Sequence, residues 1–196
     1  AGKGTVARAV AKQLGYHFLD TGSLYRMVGL AMLRQGRSAD DVAAAAEIAR
    51  RLDPSSVNDS DLRTEQVAAM ASQVAAIPEV RAALLEFQRD YARRQPGAVL
   101  DGRDIGTVVC PDADVKLYVT ASAPVRAERR TRELQQAGQG AHYDDVLADV
   151  LARDARDSSR ATAPLKPAAD AVILDTSAMS IEQAVAAAMA AIGSGR

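Results

Sequence analysis

The chain has 196 residues, 24 basic and 25 acidic, for a formal charge of −1; 48% are hydrophobic and only 4% aromatic. So balanced a charge argues against wholesale binding to nucleic acid or an anionic membrane, and the single Cys110 excludes an internal disulfide framework and a thiolate metal cluster. The length fits one compact α/β domain with an aliphatic core; no apolar run is long enough to span a bilayer, and the lone cysteine fits a reducing cytosol.

The chain opens Ala1-Gly2-Lys3-Gly4-Thr5, a glycine-rich turn ending in a lysine and a hydroxyl residue. Backbone N–H groups of such a turn close around phosphate oxygens, the lysine reaches the β/γ-phosphates, and the hydroxyl can ligate Mg²⁺. A flexible lysine-bearing tail is the alternative. The following residues favour the loop: Val6, Val10 and Leu14 share one helical face, and Gly15 is a stop. A loop feeding a helix N-terminus stabilises an anion through free N–H groups and the helix dipole. A phosphate loop of this kind is launched by a buried strand, which is expected ahead of Ala1.

Further on, short apolar runs alternate with long amphipathic stretches, as in α/β folds with a buried parallel sheet. Strands are expected at residues 16–20, 98–101, 115–120 and 171–175, and helices at 24–35, 40–52, 64–77, 78–94, 124–137, 143–158 and 180–192. With a preceding strand the sheet has five, and ligand groups gather at their carboxyl ends. Residues 53–60 form a polar, turn-rich insert, and residues 135–143 a glycine-containing loop suited to a mobile lid.

Three polar constellations punctuate these elements. After Asp20 comes Thr21-Gly22-Ser23-Leu24-Tyr25-Arg26, where Thr21 or Ser23 can cap a helix. A cation at Arg26 opposes the helix dipole unless an anion binds nearby, which marks Arg26 as functional. The run Asp101-Gly102-Arg103-Asp104-Ile105-Gly106-Thr107 follows a buried strand, at the edge where such sheets bind ligands. There Asp101 can orient Mg²⁺ or its water, Arg103 can hold a phosphate, and Asp104 can accept from a base or sugar; a local Asp–Arg turn is the plainer alternative. Residues 146, 150, 153, 157 and 160 share one helical stripe that begins with valines and ends Arg153, Asp157, Arg160, with Arg156 adjacent. That pattern suits a phosphate clamp, and equally a solvated face of salt bridges worth a few tenths of a kcal/mol each. Arg126, Arg129, Arg130 and Arg132 are expected on a solvated face, with one ATP contact at most. His17 and His142 have no ligand spacing, and Cys110 has no evident base partner.

With these residues in view, the chain resembles the bacterial cytidylate kinases, which are P-loop nucleoside monophosphate kinases. The likeness runs almost end to end. It includes Gly2-Lys3-Gly4-Thr5, Leu19-Asp20-Thr21-Gly22-Ser23-Leu24-Tyr25-Arg26, Ala71-Ser72-Gln73-Val74-Ala75, Pro78-Glu79-Val80-Arg81, Asp101-Gly102-Arg103-Asp104-Ile105-Gly106-Thr107-Val108-Val109, and Arg153-Asp154-Ala155-Arg156-Asp157-Ser158-Ser159-Arg160 with Pro164-Leu165. Gly-Lys-Gly-Thr alone is common among kinases; the full set in this order is far more specific. Between Leu52-Asp53 and Leu62-Arg63-Thr64 the family usually carries a longer, strand-rich insert, of which a short stub is present.

The resemblance implies a P-loop fold with a parallel five-stranded sheet, helices on both faces, and a mobile insert and lid. It divides one kinase domain into a core at 1–52, 98–125 and 161–196, an insert at about 53–97 and a lid at about 126–160. It implies ATP- and Mg²⁺-dependent phosphorylation of CMP and dCMP by a cytoplasmic monomer, with no nucleic-acid or membrane partner. Gly2, Lys3, Gly4 and Thr5 hold the ATP phosphates, with Thr5, and in one reading Asp101, on Mg²⁺. Thr21, Tyr25, Arg26, Ser72, Arg81, Arg103, Asp104, Asp157 and Arg160 form the CMP set. Within it Thr21, Arg26 and Arg103 lie at the phosphate, Ser72, Arg81 and Asp104 read the cytosine edge, and Asp157, helped by Arg153, accepts from the ribose. Lys3, Arg103, Arg153, Arg156 and Arg160 carry catalysis, the last three closing on the phosphoryl groups with the lid.

Overall fold

A computed structural model describes residues 2–161 and 164–194. Ala1, the first residue of the expected phosphate loop, lies outside them. Eight α-helices and four short strands alternate among the described residues: α1 (Lys3–Leu14), β1 (His17–Asp20), α2 (Thr21–Arg34), α3 (Val42–Arg50), α4 (Glu65–Val74), α5 (Pro78–Ala92), β2 (Ala98–Asp101), β3 (Leu117–Thr120), α6 (Ala123–Gln136), α7 (Tyr143–Ser159), β4 (Val172–Asp175) and α8 (Ile181–Ser194).

Local chemistry sets most boundaries. Helix α1 stops at Gly15, whose left-handed backbone (φ 67°) lets Tyr16 N–H close on the Ala11 carbonyl at 2.9 Å. Asp41, Thr64 and Ser122 cap α3, α4 and α6 through their side chains, and Pro78 opens α5 where its missing N–H costs nothing. Helix α2 corrects the expected cap. The Asp20 carboxylate accepts from Gly22 N–H at 3.0 Å, while Ser23 turns back to the Asp20 carbonyl and Thr21 points elsewhere. Two 3₁₀ turns, Pro54–Ser56 and Asp59–Leu62, fill the expected polar insert, and Leu62 anchors it in a cluster with Met27, Leu30 and Val67.

The strands form two parallel pairs, β1 with β2 (His17 opposite Ala98, Asp20 opposite Asp101) and β3 with β4 (Leu117 opposite Val172). No ladder joins the pairs among the described residues, so two separate parallel pairs stand where a five-stranded sheet is expected. Both contribute to one core: Val6 and Val10 of α1 pack with Leu174 of β4 and Ala184, Val185 and Ala188 of α8, and Val99, Leu117 and Val119 line the same cluster. A second core joins α2 to α3, α4 and α5 through Leu24, Val28, Met32, Ala45, Val74, Val80 and Leu84. Each such buried valine, leucine or methionine stabilises the fold by about 1.5–3 kcal/mol relative to exposure. Gly29 lets α4 approach closely, since a Cβ there would lie 3.0 Å from the Ala71 nitrogen. That approach fixes the height of Ser72 against α2.

Candidate functional site

The site is organised around residues 101–104, the last residue of β2 and the three that follow it. Lys3, the first residue of α1, extends to the Asp101 carboxylate (2.9 Å) and the Gly102 carbonyl (3.1 Å). Gly2 caps that helix at φ 108°, a backbone that glycine adopts freely. Gly4 faces the other Asp101 oxygen, which would lie 3.4 Å from a Cβ, and Thr5 is exposed on the first turn. Thr21 is buried and donates to the Asp101 carbonyl at 2.7 Å. Its hydroxyl occupies the space a side chain at position 102 would need, so glycine is required there. The phosphate-loop lysine and the start of α2 are thereby fastened to one turn.

Beyond that turn lie two acidic–arginine groups. Asp104 and Arg81 form a buried ion pair, each side chain under a tenth exposed, and Arg81 also donates to the Ala75 carbonyl at 2.8 Å. The Arg81 guanidinium lies over the Tyr25 ring, 5.3 Å from its centroid. Burial raises the Tyr25 phenol above its ordinary range, against the opposing pull of Arg81. After Asp104 a π-helical turn, Ile105–Val109, presents Val108 and Val109 to a cleft of about 200 Å³ shared with Tyr25, Arg81 and Asp104. Arg89 donates to both valine carbonyls at 3.1 Å, which holds the wide turn in place.

The second group centres on Asp157 of α7, buried and bonded to Arg103, with Arg160 3.8 Å away. Burial, followed by the neighbouring Arg81 cation, lowers Arg160 below the usual arginine range. Arg153 is held down to about 10, first by desolvation against the surrounding protein and then by Arg103, with Arg26 and Arg130 adding to it. Its surface remains open to water, which screens part of that repulsion. Arg26 lies 3.6 Å from Asp20, the α2 cap that partly answers its conflict with the helix dipole. Arg156 donates to the Ser72 hydroxyl at 2.5 Å, bridging α7 and α4 across 84 positions of sequence.

Most of the residues singled out from sequence therefore meet. Lys3, Asp101 and Thr21 share the 101–104 turn; Tyr25, Arg81, Asp104 and Arg160 interact electrostatically, and Arg103, Asp157, Arg160 and Arg153 adjoin them. Thr5 stands on the solvent side of α1, apart from the arginines. Two expectations are corrected. Arg126 is not solvated: it grips Asp154 of α7 with two bonds of 2.8 and 2.6 Å, locking α6 to α7. Arg129 reaches past the end of β4 to the Thr176 hydroxyl (3.2 Å) and carbonyl (2.6 Å), close to Gly2. Only Arg130 and Arg132 keep to exposed pairs, with Glu133 and Glu128. Partners 28 and 47 residues away give no local spacing signal, so sequence patterning could not find these contacts.

For a divalent cation, the phosphate loop offers the Thr5 hydroxyl and, beside Lys3, the Asp101 carboxylate as hard oxygen donors. They fit Mg²⁺, which takes one or two protein oxygens and completes its shell with water and phosphate. No group of three His, Cys, Asp or Glu side chains gathers as a preformed cage among the described residues.

Comparison with known proteins agrees in extent with this arrangement. The family model described as cytidylate kinase matches residues 1–194. A cytidylate kinase of Paramagnetospirillum magneticum is 57% identical over 199 aligned residues, covering 100% of this chain and 94% of the relative. Cytidylate kinases of Rhodospirillum rubrum and a Bradyrhizobium species are 56% and 53% identical, each across 96% of this chain and 91% and 89% of the relatives.

Proposed function

This chain belongs to the cytidylate kinase family, and we propose that it transfers the γ-phosphoryl group of ATP to CMP or dCMP, giving CDP or dCDP and ADP. One observation carries the reading. The turn 101–104 takes Lys3 of the phosphate loop at its start and supplies Arg103 and Asp104 to the two ion-paired groups at its end. In this reading a phosphoryl donor held by Lys3 and an acceptor held by Arg103 and Asp104 are positioned by one short segment. Phosphoryl transfer asks for that positioning and for charge neutralisation, not for a protein nucleophile.

In this reading Gly2, Lys3, Gly4 and Thr5 bind the ATP phosphates. Mg²⁺ would be held by Thr5 and the Asp101 carboxylate, and supplies charge neutralisation on the donor phosphates. Arg81 and Asp104 offer a fixed donor and acceptor to a cytosine edge, with Ser72 beside them, and Tyr25 lines the same cleft. Thr21, Arg26 and Arg103 face the CMP phosphate, and Asp157 accepts from the ribose with Arg153 next to it. Arg153 and Arg156 come from α7 and Arg160 directly follows it; the expected lid spans about 126–160, on a core of 1–52, 98–125 and 161–196 with an insert at about 53–97. Substrate arrival exchanges partners: the acceptor takes Arg103 from Asp157 and Ser72 from Arg156, so binding and lid movement are coupled. The full five-stranded parallel sheet, the mobile lid, a monomeric state and a cytoplasmic location belong to the same proposal. No helix among the described residues is long and apolar enough to cross a membrane.

The test is ADP release with ATP, Mg²⁺ and one acceptor at a time: CMP, dCMP, UMP, AMP, dTMP or shikimate. Turnover confined to CMP and dCMP is the expected result. Turnover with AMP or shikimate overturns the base-reading assignment, and ADP release without acceptor overturns the kinase reading.

A further inference from the structure

Gln88 of α5 has no part in the site described so far. It is only 1% exposed, yet it lines the cleft with Tyr25, Arg81 and Asp104. Helical spacing explains the placement: positions 81, 84 and 88 lie at i, i+3 and i+7 and share one face. The Gln88 amide nitrogen donates to the Leu84 carbonyl at 3.1 Å, and the side chain lines the cleft together with Tyr25. Its carbonyl oxygen Oε1 is buried without a hydrogen-bond partner, alone in this among the described residues.

An orphaned buried acceptor weakens folding by roughly tenfold or more in the equilibrium, and a methionine of similar shape has no such defect. A position that served packing alone gains nothing from the amide. What shares the cleft with the amide is Tyr25, whose ring supports the guanidinium of Arg81, which in turn is bonded to Asp104.

We propose that Gln88 is a positioning residue for the nucleobase end of the site: its carboxamide fixes the Tyr25 hydroxyl, Tyr25 fixes the plane of Arg81, and Oε1 is the acceptor that the loaded cleft satisfies. Arg81 can point a planar fork at a base edge only if its own plane is set, and a ring beneath it sets that plane. Specificity for a pyrimidine monophosphate therefore extends two helical turns below the groups facing it. This rests on the reading that Arg81 and Asp104 face the base. That reading fails separately, by wild-type turnover with AMP or shikimate.

The experiment compares wild type with Q88M, Y25F and the double variant in the whole chain. It measures the Kd for CMP without ATP by calorimetry, kcat, KM for ATP, and the melting temperature. Expected for Q88M is a Kd for CMP raised about tenfold, the loss of one net hydrogen bond. Its kcat and KM for ATP stay within about twofold and its melting temperature stays close to that of wild type, because removing the orphan offsets the partner lost by Tyr25. Y25F raises the Kd comparably, and the double variant is no worse than the weaker single. An unchanged Kd in Q88M or in Y25F overturns the proposal. So do additive effects in the double variant, and so does a lowered melting temperature with CMP and ATP affected alike.

Discussion

The two ends of the proposed acceptor site are built on opposite electrostatic plans. At the cleft, Arg81 and Asp104 are buried, bonded to one another, and backed by Tyr25, so the charges cancel before any ligand arrives. At the α7 end, Arg26, Arg103, Arg153 and Arg160 surround Asp157 and Asp20; Arg153, at about 10, and Arg160 are lowered first by burial and then by the neighbouring cations. A paired acid and base present fixed dipoles, which suits an uncharged base edge. Unbalanced guanidinium groups store repulsion that an anion relieves, which suits phosphate. In the proposed reading, one end is specific because its charges cancel, and the other binds because they do not.

The sharpest way to break this contrast is at Arg153. Arg153→Met removes a cation from the crowded end, and kcat/KM with CMP should fall about hundredfold, the scale of one lost electrostatic donor. The melting temperature should hold or rise, because the repulsion goes with the charge. A normal rate, or a destabilised protein, counts against stored repulsion at that end.

Asp104→Asn probes the paired end and should do the reverse. It leaves Arg81 buried without its counter-charge, which costs about 3 kcal/mol of stability. The KM for CMP should rise about tenfold while the KM for ATP is unmoved. Unfolding in urea and steady-state kinetics read the two effects, and a stable variant with ordinary CMP affinity would mean the pair is incidental.

The smallest expected effect is in alkaline stability. Burial raises the Tyr25 phenol above its ordinary 10.0, so the folded chain holds that proton more tightly than the unfolded one. The associated stability is fully present below about pH 10 and is lost as pH rises through the folded value. Tyr25→Phe cannot lose it, so the urea midpoint of wild type should fall relative to Y25F above pH 10. Parallel midpoints across pH 9–11 show that Tyr25 carries no such linkage.

Much of this molecule was legible along the chain. Helical and strand periodicity located all eight helices and four strands to within a few residues, because buried faces repeat at 3.6 and 2.0 and caps are local chemistry. The motif residues could be named for the same reason: Gly2–Thr5, Thr21–Arg26, Asp101–Asp104 and Arg153–Arg160 are each contiguous, with spacings that a single strand end or helix turn enforces. Where an ion pair spans sequence, patterning fell silent. Arg81 meets Asp104 across 23 residues, Arg103 meets Asp157 across 54, and Arg126 leaves the solvated face for Asp154 across 28.

By itself, then, the sequence determined which segments are helix or strand and which short motifs carry charge and hydroxyls, since those depend on neighbours a few positions apart. Only the tertiary structure decided which carboxylate neutralises which arginine, that Asp20 and not Thr21 caps α2, and that Gln88 stands beneath Tyr25 with an unfilled acceptor. The physical reason is range: periodicity and capping act within a helical turn, whereas burial, charge pairing and desolvation are set by whichever distant segments the core brings together.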